Sequence, residues 1–279
     1  MAGPDTVGTP SIDDRPDVTL EDIQYHFDVA MKVREAEAAV ARGDRGAPGT
    51  GSLEGARMSF HWFPWAIVGL VCCAAATAQG PAAFRLLSID GNLVRWGERG
   101  TSPTVTYAMI ERHQSFPHAR NCRELAPLDH LLARSGLTRA RFMEEVREAF
   151  DMWERAASIR FVETPDPSAA GILIGAQVDP EGRAFTDVAD RPGSKNPRRI
   201  ERSLICLNPE KRWKIGFDGN IGIYDIRYTI AHEVGHAIGL DHPEPHGQLM
   251  SLRYQEQFRK LQEGDISGAV ELYGLPIAR

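Results

Sequence analysis

Residues 227–251 read RYTIAHEVGHAIGLDHPEPHGQLMS, with histidines at 232, 236 and 242, a glutamate at 233 and a methionine at 250. His232 and His236 are four residues apart, so on a helix their imidazoles share one face and can meet a single cation. His242 cannot join them from the same helix, because six more residues turn it off that face and carry it about 9 Å along the axis. Gly239 offers the break, since glycine takes a left-handed conformation without steric cost and lets the chain swing His242 back. Neutral imidazole is a good zinc ligand, and a catalytic zinc keeps three protein ligands with a fourth position open. Glu233, next to the first ligand, is then a general base rather than a ligand. A lone buried histidine is usually structural; three at these spacings point to zinc. His246, four residues on, reads as a surface residue or an outer partner, because a fourth protein ligand would close the open position.

HEVGHAIGLDH (232–242) followed by LMS (249–251) resembles the metzincin zinc endopeptidases, with their extended histidine motif and later Met-turn. Within that clan the chain is most similar to the matrixins. EGDISGAVELYG (263–274) resembles the closing helix of their catalytic domain, RWGERGTSPTVTYAMI (95–110) their first strand, and FMEEVREAFDMWERAASIRFVE (142–163) their first long helix and the strand after it. The resemblance implies one catalytic Zn²⁺ held by His232, His236 and His242, Glu233 as base, and Met250 as the floor under the metal. Tyr254 falls where the family has the tyrosine of the substrate-pocket wall; two residues earlier, where a proline is usual, this chain has Leu252. GRAFTDVA (182–189) lies where matrixins place an edge strand bearing a structural-zinc histidine, and it holds no histidine. A structural zinc and calcium sites are therefore not expected, and the family's propeptide cysteine motif is missing. The implied activity is secreted, zinc-dependent endopeptidase chemistry through a zinc-activated water, on an extended peptide or protein substrate.

The apolar run within residues 58–78, MSFHWFPWAIVGLVCCAAATA, ends on the small-residue site Ala76-Thr77-Ala78 and reads as a secretory signal. It lies behind 57 residues, so either Met58 is the true start or residues 60–78 remain as a membrane anchor; the signal reading is preferred. Residues 1–57 are polar, with 6 basic and 11 acidic residues and one short helical pattern near 20–41, and read as a disordered or misassigned extension. Most of the chain's net charge of −6 lies there, which leaves residues 79–279 nearly neutral and gives no basic field for nucleic acid. The basic stretch RPGSKNPRRIERS (191–203) reads as a solvated loop.

Four cysteines are present, and Cys72 and Cys73 would leave with a cleaved signal. Cys122 and Cys206 remain as an even pair, and in an exported domain such a pair predicts a disulfide. Cys122 as a latency ligand of the metal and two free buried thiols are the alternatives.

The remaining pattern predicts an α+β, zincin-like fold: a twisted mixed sheet with a packing helix, an active-site helix and a C-terminal helix. TVTYAMI (104–110) alternates as a strand, and Thr138 caps a helix whose apolar stripe is Phe142, Val146, Ala149, Phe150 and Trp153. IRFVE (159–163), AGILIGAQV (170–178), GRAFTDV (182–188) and SLICLN (203–208) follow as strands. The active-site helix is expected over 225–240 and the last over 266–273. Two other readings of the motif stay open: a non-catalytic zinc-binding envelope or adhesion module, and a protease confined to self-processing.

Overall fold

The structure, a computed structural model, describes residues 84–277 except 192, 194, 195, 245 and 246. The N-terminal extension, the apolar run with Cys72 and Cys73, and His246 lie outside the described residues. In chain order the elements are β1 (Arg85–Leu86), β2 (Ser88–Ile89), β3 (Asn92–Arg95), β4 (Thr104–Met109), β5 (Gln114–Ser115), β6 (Glu124–Ala126), α1 (Asp129–Ser135), α2 (Arg139–Ala156), β7 (Arg160–Glu163), a 3-10 turn (Pro167–Ala169), β8 (Ile172–Gln177), β9 (Ala184–Asp190), β10 (Arg198–Leu207), β11 (Trp213–Lys214), β12 (Tyr224–Asp225), α3 (Ile226–Ala237), β13 (Leu240–Asp241) and α4 (Glu263–Tyr273).

The main sheet runs β7-β4-β8-β10-β9. Its first four strands are parallel and β9 is antiparallel along one edge. Alternation divides the strand residues between two cores. Val105, Tyr107, Met109, Ile172, Ile174, Ile205 and Leu207 point into the larger core, shared with α2, α3 and α4. Ala108, Ile110, Leu173, Leu204 and Cys206 point the other way, into a smaller core under the segment that carries Phe116, Ala119, Cys122 and Leu125. Covered on both faces, β8 is buried at every position. The packing helix follows its pattern: Thr138 accepts a hydrogen bond from the Arg141 N–H, and Phe142, Val146, Ala149, Phe150 and Trp153 are all buried.

Several expected boundaries shift, and one helix is added. α3 ends at Ala237, three residues short of Leu240, because side chains from elsewhere take its last carbonyls. Trp96 Nε1 and Ser203 Oγ donate to Ala237 O, and the Tyr273 hydroxyl donates to Ile238 O. α4 starts at Glu263 rather than 266, since Gln262 and Asp265 form a reciprocal cap. β10 begins at Arg198, so the second half of the supposed basic loop is strand, its polar side chains facing solvent where the sheet is open. α1 has no counterpart among the expected elements; at seven residues it is too short for periodicity to reveal.

Candidate active site

Asp225 starts α3. Its carboxylate accepts the Tyr228 and Gly216 N–H groups and is clasped by Arg259. Arg259 also reaches Glu145 on α2, a carboxylate shared with Arg227 of α3. This network of two buried carboxylates and two half-buried arginines fixes where the helix begins. At its other end Gly239, at φ +106°, makes the turn out; a Cβ there would stand 2.4 Å from Val94 O.

That turn brings His242 back. Its Nε2 lies 3.1 Å from Nε2 of His232 and 3.1 Å from Nε2 of His236. The Nδ1 atoms of His232 and His236 face carbonyl oxygens, Leu249 O at 2.7 Å and Leu240 O at 2.8 Å. A carbonyl can only accept, so both Nδ1 atoms carry the proton and both Nε2 atoms present lone pairs. Burial, then the neighbouring imidazoles, hold His232 and His242 well below the ordinary histidine range, so they stay neutral at pH 7. Three imidazoles bringing their Nε2 atoms to one point, two of them with Nδ1 tied to a carbonyl, are a donor set suited to zinc.

Beneath the histidines the chain passes Met250, whose Sδ would touch a Cβ placed on Gly235. Leu249 and Met250 both donate their N–H groups to Asp265 of α4. Asp265 thereby holds the turn whose Leu249 carbonyl orients His232; burial raises its pKa, against the pull of the N–H groups of Gln262, Met250 and Leu249. Glu233 is buried, and the Thr186 hydroxyl of β9 lies 2.7 Å from its Oε2. Tyr254 packs edge-on against Tyr224 and Tyr228, accepts the Asp225 N–H and donates to Glu256; burial pushes its pKa upward. Cys122 and Cys206 are joined by a disulfide, S–S 2.08 Å, far from any role as a metal ligand.

Beside Thr186, Asp187 points to the opposite face and accepts the backbone N–H groups of Arg120, Asn121 and Cys122. A carboxylate thus fastens the covering segment to the edge strand β9. Reading the sequence did not single out Thr186, Asp187, Asp265 or Glu145. Only Asp265 had a local signal, as the acid three residues after the cap residue Gln262.

A sequence profile of the matrixin family (peptidase M10) matches residues 130–274, more than half of the chain. The chain belongs to the matrixins. Among curated relatives, karilysin of Tannerella forsythia is 23% identical over 156 residues, covering 52% of this chain and 31% of karilysin. Matrilysin of Homo sapiens is 25% identical over 195 residues, 67% of this chain and 61% of matrilysin. Metalloendoproteinase 1-MMP of Arabidopsis thaliana is 24% identical over 176 residues, 61% and 43% of the two chains. This matrixin therefore spans less than two thirds of the length of the relatives it matches. Its mixed twisted sheet and the four α-helices among the described residues fit the α+β metzincin fold. The matrixins are a family of zinc-dependent peptidases.

Proposed function

We propose that this matrixin is an exported zinc endopeptidase in which His232, His236 and His242 hold the metal and Glu233 is the general base. The observation that carries the reading is the convergence of three Nε2 atoms with the opposite nitrogens of two rings tied to carbonyls, beside a buried glutamate. Zinc, when bound, supplies Lewis acidity toward the scissile carbonyl. The chain's own residues do the rest. Glu233 takes a proton from the attacking water as the C–O bond forms, then delivers it to the amine nitrogen as the C–N bond breaks. An extended peptide would pair with the outer edge of β9, which among the described residues is bonded only to β10, so main-chain hydrogen bonds give affinity with little sequence demand. Tyr254 would wall the pocket for one substrate side chain, held there by its hydrogen bonds to Asp225 and Glu256.

The Cys122–Cys206 bridge supports export, since such bonds persist in oxidising compartments. Residues 58–78 would then be the signal and 79–279 the peptidase domain, beginning at Gln79. No described helix is long and apolar enough to cross a membrane, so a membrane link would depend on residues 60–78.

Two variants test the assignment. Glu233→Gln removes the proton carrier but no ligand, so zinc content should stay near that of the parent while peptide hydrolysis falls by about two to four orders of magnitude. His236→Ala should lose zinc and activity together. Metal analysis of both proteins, with rates on a denatured peptide library, separates the roles. A Glu233→Gln protein that hydrolyses at the parent rate would overturn the assignment, and a parent that binds zinc without turnover would leave a binding module.

A further inference from the structure

We infer that Thr186 is a positioning residue for Glu233, holding one side-chain oxygen through its hydroxyl and so fixing the rotamer from which the base acts. The inference rests on the reading of Glu233 as the base. Thr186 lies in the middle of β9, paired with Ile205 of β10, and its Oγ1 is 2.7 Å from Glu233 Oε2 and 3.0 Å from Glu233 O. A hydroxyl has a single proton, and the side-chain oxygen is the nearer acceptor, so the bond runs to Oε2.

Packing does not explain a threonine here. Its neighbours on the same face of β9, Ala184 and Val188, are apolar residues packed against the larger core, and valine has the same shape as threonine and suits a strand as well. What threonine adds is the hydroxyl, and that hydroxyl meets Glu233. A general base is effective only within hydrogen-bond reach of the proton it takes, and a glutamate has three side-chain torsions to restrain. The restraint comes from the strand proposed to receive substrate, so base and peptide would be positioned from one element.

The test uses the purified full chain with measured zinc content, comparing the parent with T186V, T186S and E233Q. T186V should bind zinc like the parent, keep KM within about twofold and lose about tenfold in kcat, the scale expected for one hydrogen bond to a charged group. T186S, which keeps the hydroxyl, should regain most of that loss. Crystal structures give a readout independent of turnover: Glu233 should leave its parent rotamer in T186V and keep it in T186S. Should T186V fold poorly, T186A is judged by the same criteria. The inference falls if kcat and the Glu233 rotamer are unchanged in T186V, if T186V and T186S lose activity equally, or if zinc is lost. E233Q separates the two levels: parent activity there removes the base itself, whereas an inactive E233Q beside a fully active T186V removes only the role of Thr186.

Discussion

Gly235, in the third turn of α3, shows how close the site's parts approach. A Cβ at this position would lie 2.2 Å from Met250 Sδ and 2.9 Å from Trp153 Cζ2. Its backbone is ordinary helix, where alanine normally stabilises by roughly 0.5–1 kcal/mol relative to glycine. Here the sign should reverse. Gly235→Ala must push Met250 or Trp153 aside and is expected to destabilise by about 1–3 kcal/mol, the usual cost of overpacking a tight core. Denaturant unfolding of the zinc-free protein measures it; a gain in stability would mean that Met250 moves away freely. The three histidines, Glu233 and Gly239 were legible because their relation is local, fixed by helical spacing and one glycine. Thr186 was not, since the residue it serves is 47 positions away and only the fold brings them together.

At the scale of elements, β9 is fastened from both sides. Thr186 faces α3 and its neighbour Asp187 faces the covering segment, as strand alternation requires. Replacing Asp187 by Ala strips three N–H groups of their shared carboxylate, and hydrogen bonds to charged groups contribute about 1.5–3 kcal/mol each. Because Arg120 and Asn121 can turn to water, a net loss of about 2 kcal/mol is expected for Asp187→Ala. Limited proteolysis should then cut first within 117–123, and unchanged protection there would show that the disulfide alone holds the segment. The order of the five main-sheet strands and the three longer helices was readable from alternation and period, and so was Thr138 as a cap, whereas α1 and the short strands β1–β3, β5, β6 and β11–β13 were not. The first half of β10 was not, because RRIERS carries charges on a solvent-facing stretch and reads as loop until its pairing with β9 and β3 is seen.

For the whole molecule, the Cys122–Cys206 bridge spans 84 residues and ties the smaller core to the centre of the sheet. Loop-closure entropy for a loop of this length gives about 4.5 kcal/mol of stabilisation. Reduction should lower the free energy of unfolding by up to that amount, which unfolding curves with and without reductant would read. A change below about 1 kcal/mol would mean that the unfolded chain is already held compact. The pairing followed from the parity of the cysteines and the expected compartment, whereas the packing around it needed the fold.

The last turn of α3 has a further consequence. Its carbonyls are held by Trp96 near the start of the described chain, Ser203 in the middle of the sheet and Tyr273 at the end of α4, and the Tyr273 oxygen also accepts the Trp96 N–H. The carbonyls that end the histidine-bearing helix therefore cannot be freed without undocking strands and a helix drawn from the full length of the domain. Such a site belongs to the most cooperative unit of the protein rather than to a segment that frays. Readiness to bind metal would then rise and fall with global folding, and a chain that has lost either end of the domain would keep the three histidines in its sequence without the scaffold that makes them meet.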